Sequence, residues 1–376
     1  MPDIPFNKPF TIGNEVNYIL EAVRQGHISG DGIFTRKSQQ FFEQRYGFGK
    51  ALLTTSCTDA LEMAALLAEI GPGDEVIVPS FTFVSTANAC ILRGAKIVFA
   101  DCLPGMPNLD IAQVESLISS KTKVVIPVHY AGVACDMDPL MRLAEKNGLL
   151  VVEDAAHAID AKYKGTPLGK IGQLSTFSFH ETKNIISGEG GMLVLNDPRL
   201  VKRAEIIREK GTNRAAFFRG EIAKYEWVDV GSSFLPSELT AAFLFAQLEY
   251  MEKIQVHRIA IWNRYYERLK KLETCGAIRL PVIPGYAECN GHLFYLVCES
   301  IEQRTALQQH LRKKRIQAVF HYQPLHNSPF FREQHDGRPL PNTIRFSDCL
   351  LRLPLFYELP LEYADNIAAA VEEFFQ

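Results

Sequence analysis

The stretch STFSFHETKNIISGEGGMLVL, residues 175–195, decides how this chain reads. It opens as an apolar strand, crosses a short polar segment carrying Lys183, passes Gly188, Gly190 and Gly191, and re-enters an apolar run. Upstream, LLVVEDAAHA (149–158) has the pattern of a buried strand that ends on Asp154. An acid at a strand's C-terminal end, followed by a lysine on a glycine-rich bend, is what pyridoxal phosphate chemistry requires. The lysine holds the cofactor as an imine, and the carboxylate keeps the pyridine nitrogen protonated so that the ring can accept electrons.

Outward from this stretch, apolar runs alternate with helix-like segments over residues 50–230. KALLTTS, DEVIVPSFTFV, AKIVFAD, KVVIPVHY, LLVVEDA and LSTFSFH read as strands buried on both faces, which marks a largely parallel sheet. The prediction is an α/β fold with a large, mostly parallel-sheet domain over residues 1–250 and a smaller C-terminal α/β domain over 251–376. Ligands in such sheets bind beyond the strand C-termini, where the motifs of interest fall. Pro236 opens PSELTAAFLFAQLEYMEKIQVHRIAIWNRYYERLKKL, which reads as one long helix joining the domains or lining a subunit interface. HLFYLVCES and IQAVFHY read as strands of the small domain, with RTALQQHLRKKR as a helix between them. Residues 1–25 are expected to pack on the small domain or to cross a partner subunit.

Composition narrows the function. The chain has 376 residues, 40 basic and 43 acidic, for a net charge of −3, and no basic block. Nucleic acid is thereby excluded as the main partner, because phosphate neutralisation needs clustered Lys and Arg. MPDIPFNKPF lacks a signal pattern, and no apolar run approaches the ~20 residues that span a bilayer. The cysteines at 57, 90, 102, 135, 275, 289, 298 and 349 form no CxxC pair and read as free thiols of a reducing compartment. A cytoplasmic protein with no membrane partner and no metal is expected.

Each candidate residue has a plainer reading beside the functional one. Asp154 could simply cap a following helix. His157, one helical turn on, could hold the cofactor's phenolic oxygen or satisfy a structural hydrogen bond. In TTSCTDALEMAALL, residues Ser56, Cys57 and Thr58 lie between a strand and a helix, where backbone N–H groups and hydroxyls suit a phosphate dianion. An ordinary N-cap by Ser56 or Thr58 explains the same pattern. Ser178 could add a hydroxyl. Phe81 and Phe83 follow the strand DEVIVP, and either ring could stack on a pyridine face. On the substrate side the candidates are His129 and Tyr130 of VHYAG, Arg214 and Arg219 of REKGTNRAAFFRGEIAKYEW, and Phe34 and His326. The arginines, with Arg208, form either an interface loop or a site for an anionic, base-bearing ligand.

At this point the chain resembles a known family. EDAAHA (153–158), FSFHETKN (177–184), GEGG (188–191), SCTDALEMAAL (56–66) and PGDEVIVPSFTFVSTANA (72–89) are similar to segments of the DegT/DnrJ/EryC1/StrS sugar aminotransferases, which act on nucleotide-linked keto-deoxy sugars. EIIREKGTNR, FFRG and DVGSSF look most like the branch that makes dTDP-4-amino-4,6-dideoxygalactose for enterobacterial common antigen and related surface polysaccharides. The resemblance implies a fold-type-I pyridoxal phosphate enzyme. It implies Lys183 as the Schiff-base lysine, Asp154 on the pyridine nitrogen, and Ser56, Cys57, Thr58 and Ser178 around the phosphate. It also implies Phe83 stacked on the ring and His157 as a third ring contact. L-Glutamate as donor, a dTDP-linked keto sugar as acceptor and a homodimer with an interfacial active site follow from the same likeness.

One segment departs from the pattern. Where many relatives carry an asparagine that reaches the neighbouring subunit's phosphate, this chain reads GSSFLPSE, with Leu235 at the corresponding position and Ser232 or Ser233 as substitutes. Related 3-dehydratases carry histidine in place of Lys183, so lysine favours transamination. Three rivals stay open: a transaminase of another dTDP or UDP keto sugar, a non-catalytic regulator that keeps the fold, and a nicotinamide oxidoreductase. The last lacks a GxGxxG after the early strand.

Overall fold

The computed structural model describes residues 3–376. Seven strands form the main sheet: β1 (Lys50–Thr54), β2 (Glu75–Pro79), β3 (Lys96–Ala100), β4 (Thr122–Val125), β5 (Leu150–Asp154), β6 (Leu174–Ser178) and β7 (Gly191–Leu195). Their spatial order is β1-β7-β6-β5-β4-β2-β3. From β6 across to β3 every pair is parallel, whereas β7 runs antiparallel to both β6 and β1. The reason lies in the connection. Residues 179–190 carry Lys183 but no helix, so the chain cannot make the crossover a parallel return needs.

Both faces of the sheet are covered, which is why its strands read as continuous apolar runs. Leu53, Ile77, Val125, Val151 and Phe177 pack into one core, while Leu52, Val76, Val124, Val152 and Leu174 pack into another. Strand order reverses between β2 and β4, the place where sheets of this kind leave a crevice at their carboxyl ends.

A second, antiparallel sheet is built from β8 (Phe294–Val297), β9 (Val319–Phe320) and β10 (Leu350–Leu353), with β10 in the middle. The helices Met251–Thr274, Ile301–Lys313 and Leu361–Phe374 close over it around a core that includes Tyr265, Phe294, Leu311 and Ile367. Phe81 and Tyr130 of the larger body pack with Leu293, Tyr295 and Phe346 of the smaller one, so an apolar seam joins the two beside the crevice.

The single long helix expected after Pro236 is two helices, Glu238–Glu249 and Met251–Thr274, broken at Tyr250 (φ −108°, ψ 7°). The chain passes from one core to the other near the break, with Met251 and Ile254 of the second helix still packed in the large body. The first contributes Ala241, Leu244 and Leu248 to the large body, and the second gives Ile261, Tyr265 and Leu269 to the small one. The chain turns between them to bury both faces. At the N-terminus, Ile4 pairs with Ile316 beside the small sheet, and Asn7 Nδ2 donates to the Glu181 carbonyl at 3.2 Å. Residues 4–7 therefore tie the small body to the bend that carries Lys183. Among the described residues no helix is long and apolar enough to cross a membrane.

Candidate active site

A cleft of about 730 Å³ opens beyond the carboxyl ends of β2, β4 and β5, with β10 of the small sheet on its far wall. That volume suits a cofactor and a substrate together. Lys183 lines it. The bend around the lysine is clamped by backbone bonds from Glu181 N–H to Gly188 O (2.8 Å), Lys183 N–H to His180 O (2.9 Å) and Ser187 N–H to Phe179 O (2.7 Å). Ile185 and Ile186 anchor it in the core. Burial holds the Lys183 ammonium down at about 8, with Arg352 pushing the same way and Cys57 and Asp154 pulling it back up. At pH 7 about a tenth of this lysine is therefore free amine, far more than at the ordinary value of 10.5.

Asp154 ends β5 and is almost fully buried. Its Oδ2 accepts from Thr86 Oγ1 at 2.7 Å and its Oδ1 from the Ala156 N–H at 3.2 Å. Burial raises its pKa against those hydrogen bonds. Among the described residues no Lys, Arg or His reaches it within salt-bridge distance. A buried carboxylate pinned on its flanks and facing an open cleft without a counter-cation fits a protonated pyridine nitrogen, whose N–H would supply that partner. On this observation the residues present fit pyridoxal phosphate.

The other end of the cleft fits its phosphate. Ser56 caps the helix Cys57–Leu67 by accepting from the Asp59 N–H at 3.0 Å, so its plain reading holds. The cap leaves the functional reading intact, since the hydroxyl proton stays free and the first-turn N–H groups have no i−4 carbonyl. Thr58 Oγ1 bonds Ser85 Oγ at 2.7 Å. Gly191 lets β7 start directly against this turn; a Cβ there would stand 2.3 Å from the Ser56 carbonyl carbon and 2.4 Å from the Cys57 nitrogen. Ser56, Cys57, Thr58 and Ser178 all line the cleft.

Phe81 and Phe83 divide their roles. Phe81 is fully buried against Tyr130, Tyr322 and Phe346, whereas Phe83 is 58% exposed and lines the cleft. His157 also lines it. Its Nδ1 accepts from the Ala131 N–H at 3.4 Å, which leaves the proton on Nε2, and its ring stacks on His292 at 4.2 Å. Burial pushes the His157 pKa well below the usual histidine range, so the ring is neutral.

The remaining sequence candidates lie elsewhere in the chain. His129 is completely buried between Glu153 Oε2 (2.9 Å) and the Cys135 N–H (3.2 Å), in a bracket where Glu153 also binds Gly169, Ile171 and Gly172; it is a structural residue. Tyr130 sits in the interbody seam with its hydroxyl 3.0 Å from His321 Nδ1, one residue layer behind the cleft. Phe34 is core, packed on Tyr18 and Phe245. His326 is buried against Ser80 Oγ at 2.7 Å. Arg214 stacks over Phe218, and Arg219 pairs with Glu205 and Glu221 on the outer surface. Ser232 is exposed, and within one chain none of these residues lines the cleft.

Sequence reasoning passed over several residues that do line it or support it. Thr86 holds Asp154. Asn184 Oδ1 pairs with His292 Nδ1 at 2.8 Å and so fixes the ring beneath His157. His321, Tyr322 and Arg352 come from the small body. Only Arg352 left a trace in the sequence, as a lone charge in the apolar strand LLRL.

Known proteins resemble this chain along nearly its whole length. The chain is 31% identical over 382 residues to the spore coat polysaccharide biosynthesis protein SpsC of Bacillus subtilis (strain 168), covering 98% of this chain and 96% of that one. S. venezuelae DesV, solved in complex with a ketimine intermediate, is similar in structure, with a TM-score of 0.90 and 30% identity over 100% of this chain and 99% of that one. So is Spr1654 of Streptococcus pneumoniae in its PLP form, with a TM-score of 0.90 and 26% identity over the full length of both chains. The model of one family matches residues 11–372, nearly the whole sequence, and by that match the chain belongs to the DegT/DnrJ/EryC1/StrS aminotransferase family.

Proposed function

We propose that this protein transfers an amino group from L-glutamate to a dTDP-linked 4-keto-6-deoxy sugar, with pyridoxal phosphate as cofactor. The acceptor is dTDP-4-keto-6-deoxy-D-glucose and the product dTDP-4-amino-4,6-dideoxy-D-galactose, a precursor for surface polysaccharide. The observation that carries the reading is the convergence of Lys183 and an uncompensated, buried Asp154 on one cleft. The likeness to a polysaccharide biosynthesis protein supports a sugar acceptor.

Bound there, the cofactor supplies an electron-accepting ring that stabilises negative charge at the carbon losing its proton. The chain supplies the rest. Lys183 Nζ takes the proton from the donor's α-carbon and, in the second half of the cycle, delivers one to C4 of the sugar. A positioned proton shuttle of this kind contributes typically ~10²–10⁴-fold. Asp154, aligned by Thr86, holds the proton on the ring nitrogen. His157 would offer its Nε2–H to the phenolic oxygen, Phe83 would cover the ring and exclude water, and Ser56, Thr58 and Ser178 would hold the phosphate.

The same reading assigns Arg214, Arg219 and Ser232 to the neighbouring subunit's site in a homodimer. Its support is the apolar surface beside them: Phe218 is 69% exposed and Trp227 81%. The test of function is incubation with L-glutamate and dTDP-4-keto-6-deoxy-D-glucose, followed by NMR of the sugar. An axial amine at C4 supports the assignment; an equatorial amine, or amination at C3, overturns it.

A further inference from the structure

We propose that Arg352 anchors the amino donor by one of its carboxylates while Lys183 works on the donor's amine. The inference rests on the transaminase reading above and extends it to a residue that recognises the donor. Arg352 is the third residue of β10, the middle strand of the small sheet, between Tyr295 of β8 and Val319 of β9. Its neighbours Leu350, Leu351 and Leu353 are fully buried, but the arginine side chain emerges into the cleft.

The guanidinium is prepared and left unused. The Phe6 ring covers it, with 4.5 Å between the guanidinium carbon and the ring centroid, and Nη2 donates to the Phe320 carbonyl at 3.1 Å. Nε is buried and has no hydrogen-bond partner, and no carboxylate lies within salt-bridge distance among the described residues. A guanidinium withdrawn from water without an anion is costly, so its retention in a small sheet is not explained by stability. Its planar fork matches a carboxylate in two-point contact.

Counting charges along the cleft leads to the same assignment. Among the described residues of one chain, Lys183 and Arg352 are its only lysine and arginine, and its carboxylates are Asp154 and Glu189. Lys183 is committed to the amine and its protons, and Asp154 to the ring nitrogen. A dicarboxylate donor brings two negative charges into this space, and Arg352 is the remaining fixed cation that this chain itself offers to receive one. The phosphate end needs no arginine, because the helix start at Ser56–Thr58 serves it. Residues 4–7, which bridge the small body to the Lys183 bend, hold Phe6 over the guanidinium and keep the two cations in one frame.

The diphosphate of the nucleotide sugar is the other anion that could reach a guanidinium, and the experiment separates the two. Protein loaded with pyridoxal phosphate is titrated calorimetrically with glutarate, a dicarboxylate without an amine, and separately with thymidine diphosphate. The Arg352→Gln variant should bind glutarate roughly 10–100-fold more weakly, the loss expected for a charge-assisted hydrogen bond, and thymidine diphosphate unchanged. Arg352→Lys should fall between the two for glutarate. In the separate half-reactions, Arg352→Gln should raise the KM for L-glutamate and leave that for the keto sugar in place. Unchanged glutarate binding, or loss of thymidine diphosphate binding instead, overturns the assignment. Wild-type protein that takes up the cofactor but binds no glutarate also overturns it, whereas failure to take up pyridoxal phosphate overturns the functional reading beneath it.

Discussion

Thr86 donates its hydroxyl proton to Asp154 Oδ2 across 2.7 Å, and its own oxygen is 2.9 Å from the Thr82 hydroxyl. The helix that starts after Phe83 thus reaches across the crevice to orient the carboxylate that ends β5. Thr86→Val keeps the shape and removes the hydrogen bond. With about 1.5–3 kcal/mol at stake for a hydrogen bond to a charged group, kcat/KM should fall roughly 10–100-fold with the thermal midpoint little changed. Steady-state kinetics beside a melting curve checks this.

Asp154→Asn removes the charge itself. The amide cannot hold a proton on the ring nitrogen, so turnover should fall further than in Thr86→Val. The cofactor should still occupy the cleft, because the phosphate end is untouched. Equilibrium dialysis of pyridoxal phosphate alongside kcat separates binding from chemistry.

The lowered pKa of Lys183 predicts a pH dependence whose sign is fixed. Only the free amine reacts with the cofactor's aldehyde. For protein freed of cofactor, the rate of pyridoxal phosphate uptake should climb ~tenfold per pH unit below about 8 and level off above it. A lysine at its ordinary 10.5 would keep the rate climbing beyond pH 10. Stability shifts in the same direction: between about 8 and 10.5 the unfolded chain binds more protons than the folded one, so a destabilising contribution present below pH 8 is relieved as pH rises. Stopped-flow absorbance and pH-dependent denaturation measure the two effects.

Gly191→Ala should weaken the cofactor's phosphate site. The added Cβ would lie 2.3 Å from the Ser56 carbonyl carbon, and backbone on both sides leaves little room to yield. Overpacking of this sort costs typically ~1–3 kcal/mol. A reduced affinity for pyridoxal phosphate, larger than the loss for free pyridoxal, is the expected signature.

The parts of this molecule legible in its sequence were those governed by local pattern. Doubly buried strands, the acid closing β5 and the lysine on a helix-free bend all announce themselves within a few residues. Phe83 could not be told from Phe81 by periodicity, because both follow the same strand and only tertiary packing buries one. His129 looked as functional as His157, yet the Glu153 bracket that claims it is assembled from residues far along the chain. Arg352 and His321 reach the cleft because the small sheet folds back over the large one, and no short-range signal encodes that approach. The break at Tyr250 is hidden for the same reason: nothing in the local residues says that the chain leaves one core for another along this stretch.

Lys183 is the residue expected to bind pyridoxal phosphate covalently. Borohydride reduction of the cofactor-loaded protein, followed by peptide mass mapping, tests it most directly. A single pyridoxyl group on the peptide containing Lys183 is predicted, absent when Lys183→Ala protein is treated alike. A label on a different lysine, or a loaded protein that takes none, would contradict it.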